Sequence, residues 1–295
     1  MTFKKTLISL LLALSVSIYS LSYAKSPVFK VSKGGDYVYI GGTIHLLSPS
    51  DYPLPLAFDT AFKDSKRVFF EVDGKALETL ETQTKMLSIL TFQDGRTLET
   101  VLDKETYGLL SNALSERQMP ISVFKNYTPI GIGLTLTVLE LQRLGLGDPN
   151  HGVDHFFQLK TDQDASKDSA FLETVDQQIG FLSQFNNVDP NAVIKSSLED
   201  LSVLNNSWKL GVDSWRDGDL AQMNEVLGGE KMRSEFPSVY KALLSNRNQH
   251  WIKQLTPMFD TPEIEFLLVG AMHLVGDDGV IELLRDQGYE IEQLD

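Results

Sequence analysis

The sequence predicts an α/β fold: a central sheet built from two similar halves, with a mainly helical middle region inserted between them. The first observation behind this is a repeat. Tyr37-Val38-Tyr39-Ile40-Gly41-Gly42-Thr43-Ile44-His45-Leu46 is an apolar, β-prone run that ends in two glycines and then a histidine. Phe266-Leu267-Leu268-Val269-Gly270-Ala271-Met272-His273-Leu274 has the same grammar, so Gly42 and His45 map onto Gly270 and His273. Each copy reads as a buried strand that enters a glycine-permitted bend and presents an imidazole just past its carboxyl end. Open α/β sheets bind their ligands there. The second observation is that two further strand-like runs carry a carboxylate at the same place: Arg67-Val68-Phe69-Phe70-Glu71-Val72-Asp73-Gly74 and Lys167-Asp168-Ser169-Ala170-Phe171-Leu172-Glu173-Thr174. The third is that the residues between these runs carry mostly helical spacing.

In chain order, Phe29 to Val31 is a short strand, Gly34-Gly35-Asp36 a hairpin turn and Tyr37 to Ile40 the first long strand. Residues 57, 58, 61 and 62 are apolar, which predicts a helix over Leu56 to Ser65. Lys75 to Gln118 is helical, with Asp103 as an N-cap, and Pro120 stops it. Thr128 to Leu139 is a strongly apolar run containing Gly131 and Gly133, short for a bilayer span. It reads as a buried or groove-lining helix, with membrane contact as the lesser alternative. Gly145 to Asn150 is a loop, and His151-Gly152-Val153-Asp154 opens the next helix. Val175 to Phe185 is helical. Asp189 to Leu227 is helical and polar with a break at Asp217-Gly218-Asp219, and it carries no catalytic signal. A long amphipathic helix is expected from Pro237 to Phe259. Strand Ile264 to Val269, helix Val280 to Arg285 with Gly288 as its C-cap, and strand Tyr289 to Ile291 close the chain.

The 295 residues are 42% hydrophobic and 22% charged, enough for one globular domain with a real core. Lys4-Lys5 precede the apolar run from Leu7 to Leu14, and Ser22-Tyr23-Ala24 comes after it. This predicts a secretory signal peptide over residues 1–24, a domain over 25–295, and a periplasmic or secreted location. The formal charge is −14, and without Lys4 and Lys5 there are 24 basic against 40 acidic residues, a net −16. Such a surface repels nucleic acid and anionic membranes. The chain has no cysteine. Thiol catalysis and cysteine-ligated zinc are therefore excluded.

If the four strands are neighbours, His45, Glu71, Glu173 and His273 converge on one rim. Two imidazoles and two carboxylates suit a divalent ion such as Mn, Co or Zn, with an open position for a water of lowered pKa. The same groups without metal would serve as general acid and base. A structural histidine, a solvent-facing Glu71 and a helix-capping Glu173 are the plain alternatives. Arg247 reads either as a salt-bridge partner or as an oxyanion and carboxylate clamp, and Asn248 as a residue that orients a ligand. His151 and His155 flank Asp154 at helical spacing, but the glutamate of the two-histidine zinc helix is missing, so Asp154 is the expected inward residue. Neither a Gly-x-Ser-x-Gly elbow nor a phosphate loop occurs in the sequence.

At Tyr39 to Leu46, Phe70-Glu71-Val72-Asp73, Gly152-Val153-Asp154, Leu172-Glu173-Thr174, Arg247-Asn248 and Val269 to Gly276, the chain resembles the TraB/GumN family. The likeness spans nearly the whole mature chain. That family is related to the Tiki proteins, described as metal-dependent proteases, and more distantly to erythromycin-esterase-like and ChaN-like proteins. The resemblance implies an α/β fold and a site comprising His45, Glu71, Asp154, Glu173, Arg247, Asn248 and His273. One departure is Lys125-Asn126-Tyr127-Thr128-Pro129, where bacterial members often carry Lys-Pro-Trp.

These residues support two functional readings. The first is a secreted or periplasmic metal-dependent hydrolase acting on a peptide or small-molecule substrate, with Glu71, Asp154, Arg247 and Asn248 as catalytic residues and His45, His273, Glu71 and Glu173 as metal ligands. The second is a non-catalytic envelope protein that uses the same rim to bind haem, a metal or a small polar ligand.

Overall fold

The computed structural model describes residues 25–295, so the expected leader lies outside the described residues. Six strands form one mixed sheet: β1 (Val28–Lys33), β2 (Asp36–Thr43), β3 (Arg67–Phe70), β4 (Asp168–Phe171), β5 (Glu265–Gly270) and β6 (Glu290–Gln293). Their spatial order is β4-β3-β5-β2-β1-β6. The four strands from β4 to β2 are mutually parallel, while β1 pairs antiparallel with both β2 and β6. The mixed α/β class expected from the repeat is therefore the observed one. The two Gly-x-x-His strands lie side by side, with Gly42 opposite Val269 and Thr43 opposite Gly270.

The apolar runs are continuous because both faces of the sheet are covered, as parallel strands require. Along β5, Phe266 and Leu268 pack into one core with Phe58, Phe62, Phe157 and Trp215. Leu267 and Val269 pack into the other with Ile40, Trp251, Ile281 and Leu284. Helices Leu56–Asp64 and Val153–Gln163 supply the first layer, and Asn246–Leu255 and Val280–Asp286 the second.

The middle of the chain is helical as expected, in more pieces than its periodicity suggests. Residues 75–118 contain Leu80–Leu90 and Lys104–Glu116 as their longer helices, the latter capped by Asp103 accepting from Thr106 N–H. The apolar run becomes the helix Pro129–Leu144, capped by Thr128 and ended by Gly145 in the left-handed region at φ 67°. A Cβ on Gly131 would lie 2.1 Å from the Leu90 carbonyl oxygen. That glycine is there for close helix packing. Leu98, Leu110, Leu114, Ile132, Leu136, Ile194 and Leu201 form a separate core for this region. Among the described residues no helix is long and apolar enough to cross a membrane.

The expected long helix at 237–259 is not uniform. Pro237–Tyr240 is α-helical, Lys241–Ser245 is a π-turn, Asn246–Leu255 is α-helical again and Thr256–Asp260 is a 3-10 turn. A π-turn adds a residue to the helical repeat and so rotates the helix beyond it, and such turns are frequent at functional sites. Arg247 and Asn248 come immediately after it, and both are buried.

Gly131→Ala should cost roughly 1–3 kcal/mol, because a backbone carbonyl has to move. Gly108→Ala, in helix Lys104–Glu116 with nothing within 4 Å of its added Cβ, should be neutral or stabilising by up to about 1 kcal/mol. Urea unfolding of the two variants measures the contrast. Equal effects would show that the Leu90 contact does not limit the packing.

Candidate functional site at the carboxyl ends of the parallel strands

Each of the four parallel strands delivers one polar side chain within three residues of its end. His45 follows β2, Glu71 follows β3, Glu173 follows β4 and His273 follows β5. Glu71, Glu173 and His273 are buried, and so are Arg247 and Asn248, which arrive from helix Asn246–Leu255.

The Arg247 guanidinium is the hub. Nε donates to Glu173 Oε1 at 2.8 Å, and Nη2 donates to Glu173 Oε2 at 2.8 Å and Glu71 Oε2 at 2.5 Å. Nη1 donates to the Leu243 carbonyl and to His273 Nε2, both at 2.9 Å. All five N–H donors are thereby used. The ring of Trp251 and the ring of Phe181 lie 4.8 Å and 5.2 Å from the guanidinium carbon. Trp251 Nε1–H also donates to Glu173 Oε1 at 2.9 Å. The second oxygen of Glu71 accepts Gly270 N–H at 2.6 Å. Gln178 reaches both glutamates from the next helix, at 3.2 and 3.4 Å. Thr174 caps that helix. Glu173 is therefore free for the arginine rather than needed as a cap.

His273 is held as a neutral ring. Nε2 accepts from an always-protonated arginine, so Nδ1 carries the proton and donates to Asn248 Oδ1 at 2.6 Å. Burial, and then the Arg247 charge, push its pKa down to about 3, against the opposing pull of Glu71. For Glu71, burial opposes ionisation, but the surrounding basic groups and the Gly270 N–H overcome it and hold the carboxyl below its ordinary range. Because His273 is neutral, Arg247 is the permanent charge that achieves this.

His45 is placed differently. Gly152 lets the backbone of helix Val153–Gln163 approach the end of β2: a Cβ there would lie 2.4 Å from the His45 carbonyl, and Val153 N–H donates to the Ile44 carbonyl at 3.0 Å. That contact sets Asp154 against the site. Asp154 Oδ1 accepts from Thr43 Oγ1 at 2.8 Å, and Oδ2 lies 2.7 Å from His45 Nδ1. Asp154 raises the His45 pKa to about 9, with burial acting in the opposite sense. The ring is exposed, with 67% of the side chain meeting solvent. Water therefore screens part of the attraction between the two side chains. Nε2 has no hydrogen-bond partner among the described residues. It lies 3.8 Å from the point where a Cβ on Gly270 would stand, with Glu71 Oε1 at 3.2 Å and His273 Cδ2 at 3.7 Å from the same point. The missing side chain of Gly270 leaves a small space walled by both histidines and Glu71. A cleft of about 400 Å3, lined by residues that include Val72, Asp73, Phe171 and Glu173, opens at the ends of β3 and β4.

This geometry gathers every expected site residue but changes several expected roles. His45, His273, Glu71 and Glu173 do not surround a common ion as arranged: Arg247 separates Glu173 from His273, both His273 nitrogens are engaged and both Glu173 oxygens are taken, while Glu71 Oε1 lies 3.8 Å from His273 Nε2. Among the described residues, no group of three or more His, Asp or Glu side chains is placed to hold a metal. Arg247 has no donor left for a ligand, and Asn248 spends its amide on the Asp278 carbonyl at 2.8 Å and on His273. As arranged, both are engaged within the protein. His151 and His155 stay outside it, with His151 beside Asp148 at 3.1 Å. Sequence reading missed Thr43, Gln178, Trp251 and the role of Gly270. Trp251 sits four residues after Arg247 on one helical face, a spacing that was available as a signal.

A largely parallel α/β sheet with a buried arginine–glutamate–histidine cluster at its strand ends, flanked by an Asp-held histidine, defines an α/β protein with one polar strand-end site. The family model described as TraB/PrgY/gumN matches residues 27–293, and the chain belongs to that family. No curated protein and no solved structure shows a significant match to it.

Arg247→Met should destabilise the protein by roughly 3–5 kcal/mol, because it leaves two buried carboxylates unpaired. Arg247→Lys should recover little, since an ammonium cannot reproduce the planar fork. His45→Gln, at an exposed ring, should stay within about 0.5 kcal/mol of the parent. Denaturant midpoints measure all three; a His45→Gln loss as large as that of Arg247→Met contradicts the division into buried hub and exposed ring. His273 also sets a pH dependence. Its folded pKa lies below the unfolded value of 6.5, so its contribution is complete above pH 6.5 and is lost progressively as pH falls toward 3. Between about pH 6.5 and 4.5, before the carboxylates titrate, His273→Gln should flatten the decline in melting temperature seen in the parent.

Proposed function

We propose that this chain is an envelope hydrolase, periplasmic or secreted, that cleaves a peptide or similar carbonyl substrate with His45 as general base. The observation that carries this reading is the Asp154–His45 pair, whose unengaged Nε2 faces the space beside Gly270. Asp154 accepts from Nδ1–H, which fixes the tautomer, so that in the deprotonated ring, populated as pH rises toward its raised pKa of about 9, the Nε2 lone pair is the proton acceptor. A water in that space, hydrogen-bonded to Nε2, would lose its proton to His45 as its oxygen attacks the substrate carbonyl. The imidazolium, stabilised by Asp154, would then return the proton to the leaving group. Glu71 is a poor competitor for the base role, because its carboxyl is held well below the ordinary range. Its part is to wall the space and, with Gly270 N–H, to keep its shape. Metal dependence on Mn, Co or Zn fits this donor set less well, since the cluster leaves an ion only His45 Nε2 and a share of Glu71.

Hydrolysis of a peptide library by protein purified without chelators tests the proposal. His45→Gln should lower kcat by roughly 10²–10⁴-fold. Asp154→Asn should lower kcat as well and move the rising limb of the pH–rate profile to lower pH, because removing the carboxylate removes the influence that raises the His45 pKa. Gly270→Ala, at an ordinary φ of −51°, should fill the space and abolish turnover with little loss of stability. Activity that disappears on chelation and returns with Mn, Co or Zn would replace the base mechanism with a metal-dependent one. Saturable ligand binding without turnover would favour the non-catalytic reading.

A further inference from the structure

A second polar cluster lies behind the first. The Asp278 carboxylate accepts from Arg233 Nη2 at 2.7 Å and Tyr240 OH at 2.8 Å through Oδ1, and from the Ser245 hydroxyl through Oδ2. Arg233 Nη2 also donates to Tyr240 OH at 2.8 Å. These anchors come from helix Gly229–Glu235, helix Pro237–Tyr240 and the π-turn Lys241–Ser245. The loop that carries Asp278 is sharply turned, with Gly276 at φ 79° and Gly279 N–H donating to the Gly276 carbonyl at 3.0 Å. A Cβ on Gly279 would lie 2.6 Å from the Val275 carbonyl oxygen. The loop's conformation is thus fixed from both sides.

The polarity of the bonds leading out of this loop is forced. The Asp278 carbonyl can only accept, so the Asn248 amide must turn its Nδ2 toward it, at 2.8 Å. Asn248 Oδ1 then faces His273 Nδ1 at 2.6 Å and can only accept, so Nδ1 must carry the proton. Nε2 is left as an acceptor, which is what an Arg247 N–H at 2.9 Å requires. Reversal at any step would set two donors or two acceptors face to face in a buried site, at a cost of the order of a lost hydrogen bond or more.

We infer that Asp278 is a positioning residue: by anchoring its loop to Arg233, Tyr240 and Ser245 it fixes the orientation of Asn248, which together with Arg247 at Nε2 locks His273 in the Nδ1–H tautomer. This rests on the reading of the strand-end cluster as a hydrolytic site, whose Arg247 hub depends on that tautomer. Its test does not use activity. Long-range proton–nitrogen correlation spectra of the full chain, with the His273 signals assigned by their loss in His273→Gln, report the tautomer directly. The parent should show the Nδ1–H form alone. Asp278→Ala, shown to be folded by circular dichroism, should admit a minor Nε2–H form beside the Nδ1–H form, because Arg247 alone then holds the ring, and Asp278→Asn, which keeps an acceptor for Arg233 and Tyr240, should largely restore the single form. If Asp278→Ala does not fold, the double variant Tyr240→Phe with Ser245→Ala removes two donors while keeping both charges, and it should show the same mixture. A single Nδ1–H tautomer in either folded variant overturns the proposal. A shifted tautomer in a protein without hydrolytic activity would leave this proposal standing and remove the function; an unshifted tautomer in an active enzyme would do the reverse.

Discussion

The site depends on the burial of one guanidinium. Removing an arginine from water costs several kcal/mol, and that cost is offset only when charge and every donor are matched. Arg247 meets both conditions with two glutamates, a main-chain carbonyl and a neutral imidazole. Its demands reach back through the fold. Two carboxylates have to arrive from adjacent strands, which the parallel pairing of β3 and β4 ensures. The arginine has to face inward from its helix, and the π-turn immediately before it is placed to set that phase. His273 must present a lone pair, which the Asn248 and Asp278 contacts provide.

With Arg247 saturated, the unengaged ring nitrogen of the site lies at its edge. The two Gly-x-x-His copies, alike in sequence and paired in the sheet, have separate jobs. After Gly270 the chain enters a 3-10 turn over Ala271–His273 and carries its imidazole inward. After Gly42 the strand continues to Thr43, and the imidazole of His45 comes out at the rim beside Asp154. One ring is a neutral bracket for a cation and the other an exposed base with a carboxylate behind it. The pKa shifts run in opposite senses for that reason: burial and a nearby positive charge lower His273, whereas a carboxylate partner raises His45. Paired titratable groups driven apart in this way are a common mark of acid–base sites.

Much of this was readable from residue order. Val68-Phe69-Phe70 and Phe266 to Val269 could only be strands buried on both faces, so the polar residues after them had to meet at the carboxyl edge. Gly152 before Val153-Asp154 marked a close backbone approach, and the structure shows it at the His45 carbonyl. The features hidden from the sequence depended on tertiary phase. Identical Gly-x-x-His spacing does not reveal which copy turns inward, because that is decided by Arg247 and Asn248 packing against one of them. Thr43 is the last residue of its strand, and only the fold shows its hydroxyl beside Asp154. The metal set was the natural inference from two histidines and two acids, and residue order could not show that the residue drawing those acids together is a cation 74 positions from the nearer one. The helix at 237–259 looked uniform because a π-turn leaves the apolar pattern on either side intact.

The two histidines are electrostatically opposite members of one site, and nitrogen-15 titration of both imidazoles in the unmodified protein tests this most directly. His45 should titrate above the ordinary histidine value near 6.5 and His273 should stay neutral until strongly acidic pH, with its Nδ1 protonated throughout the neutral range. Two rings that titrate together near 6.5, or a His273 that carries charge at neutral pH, would contradict the arrangement around Arg247 and the functional reading built on it.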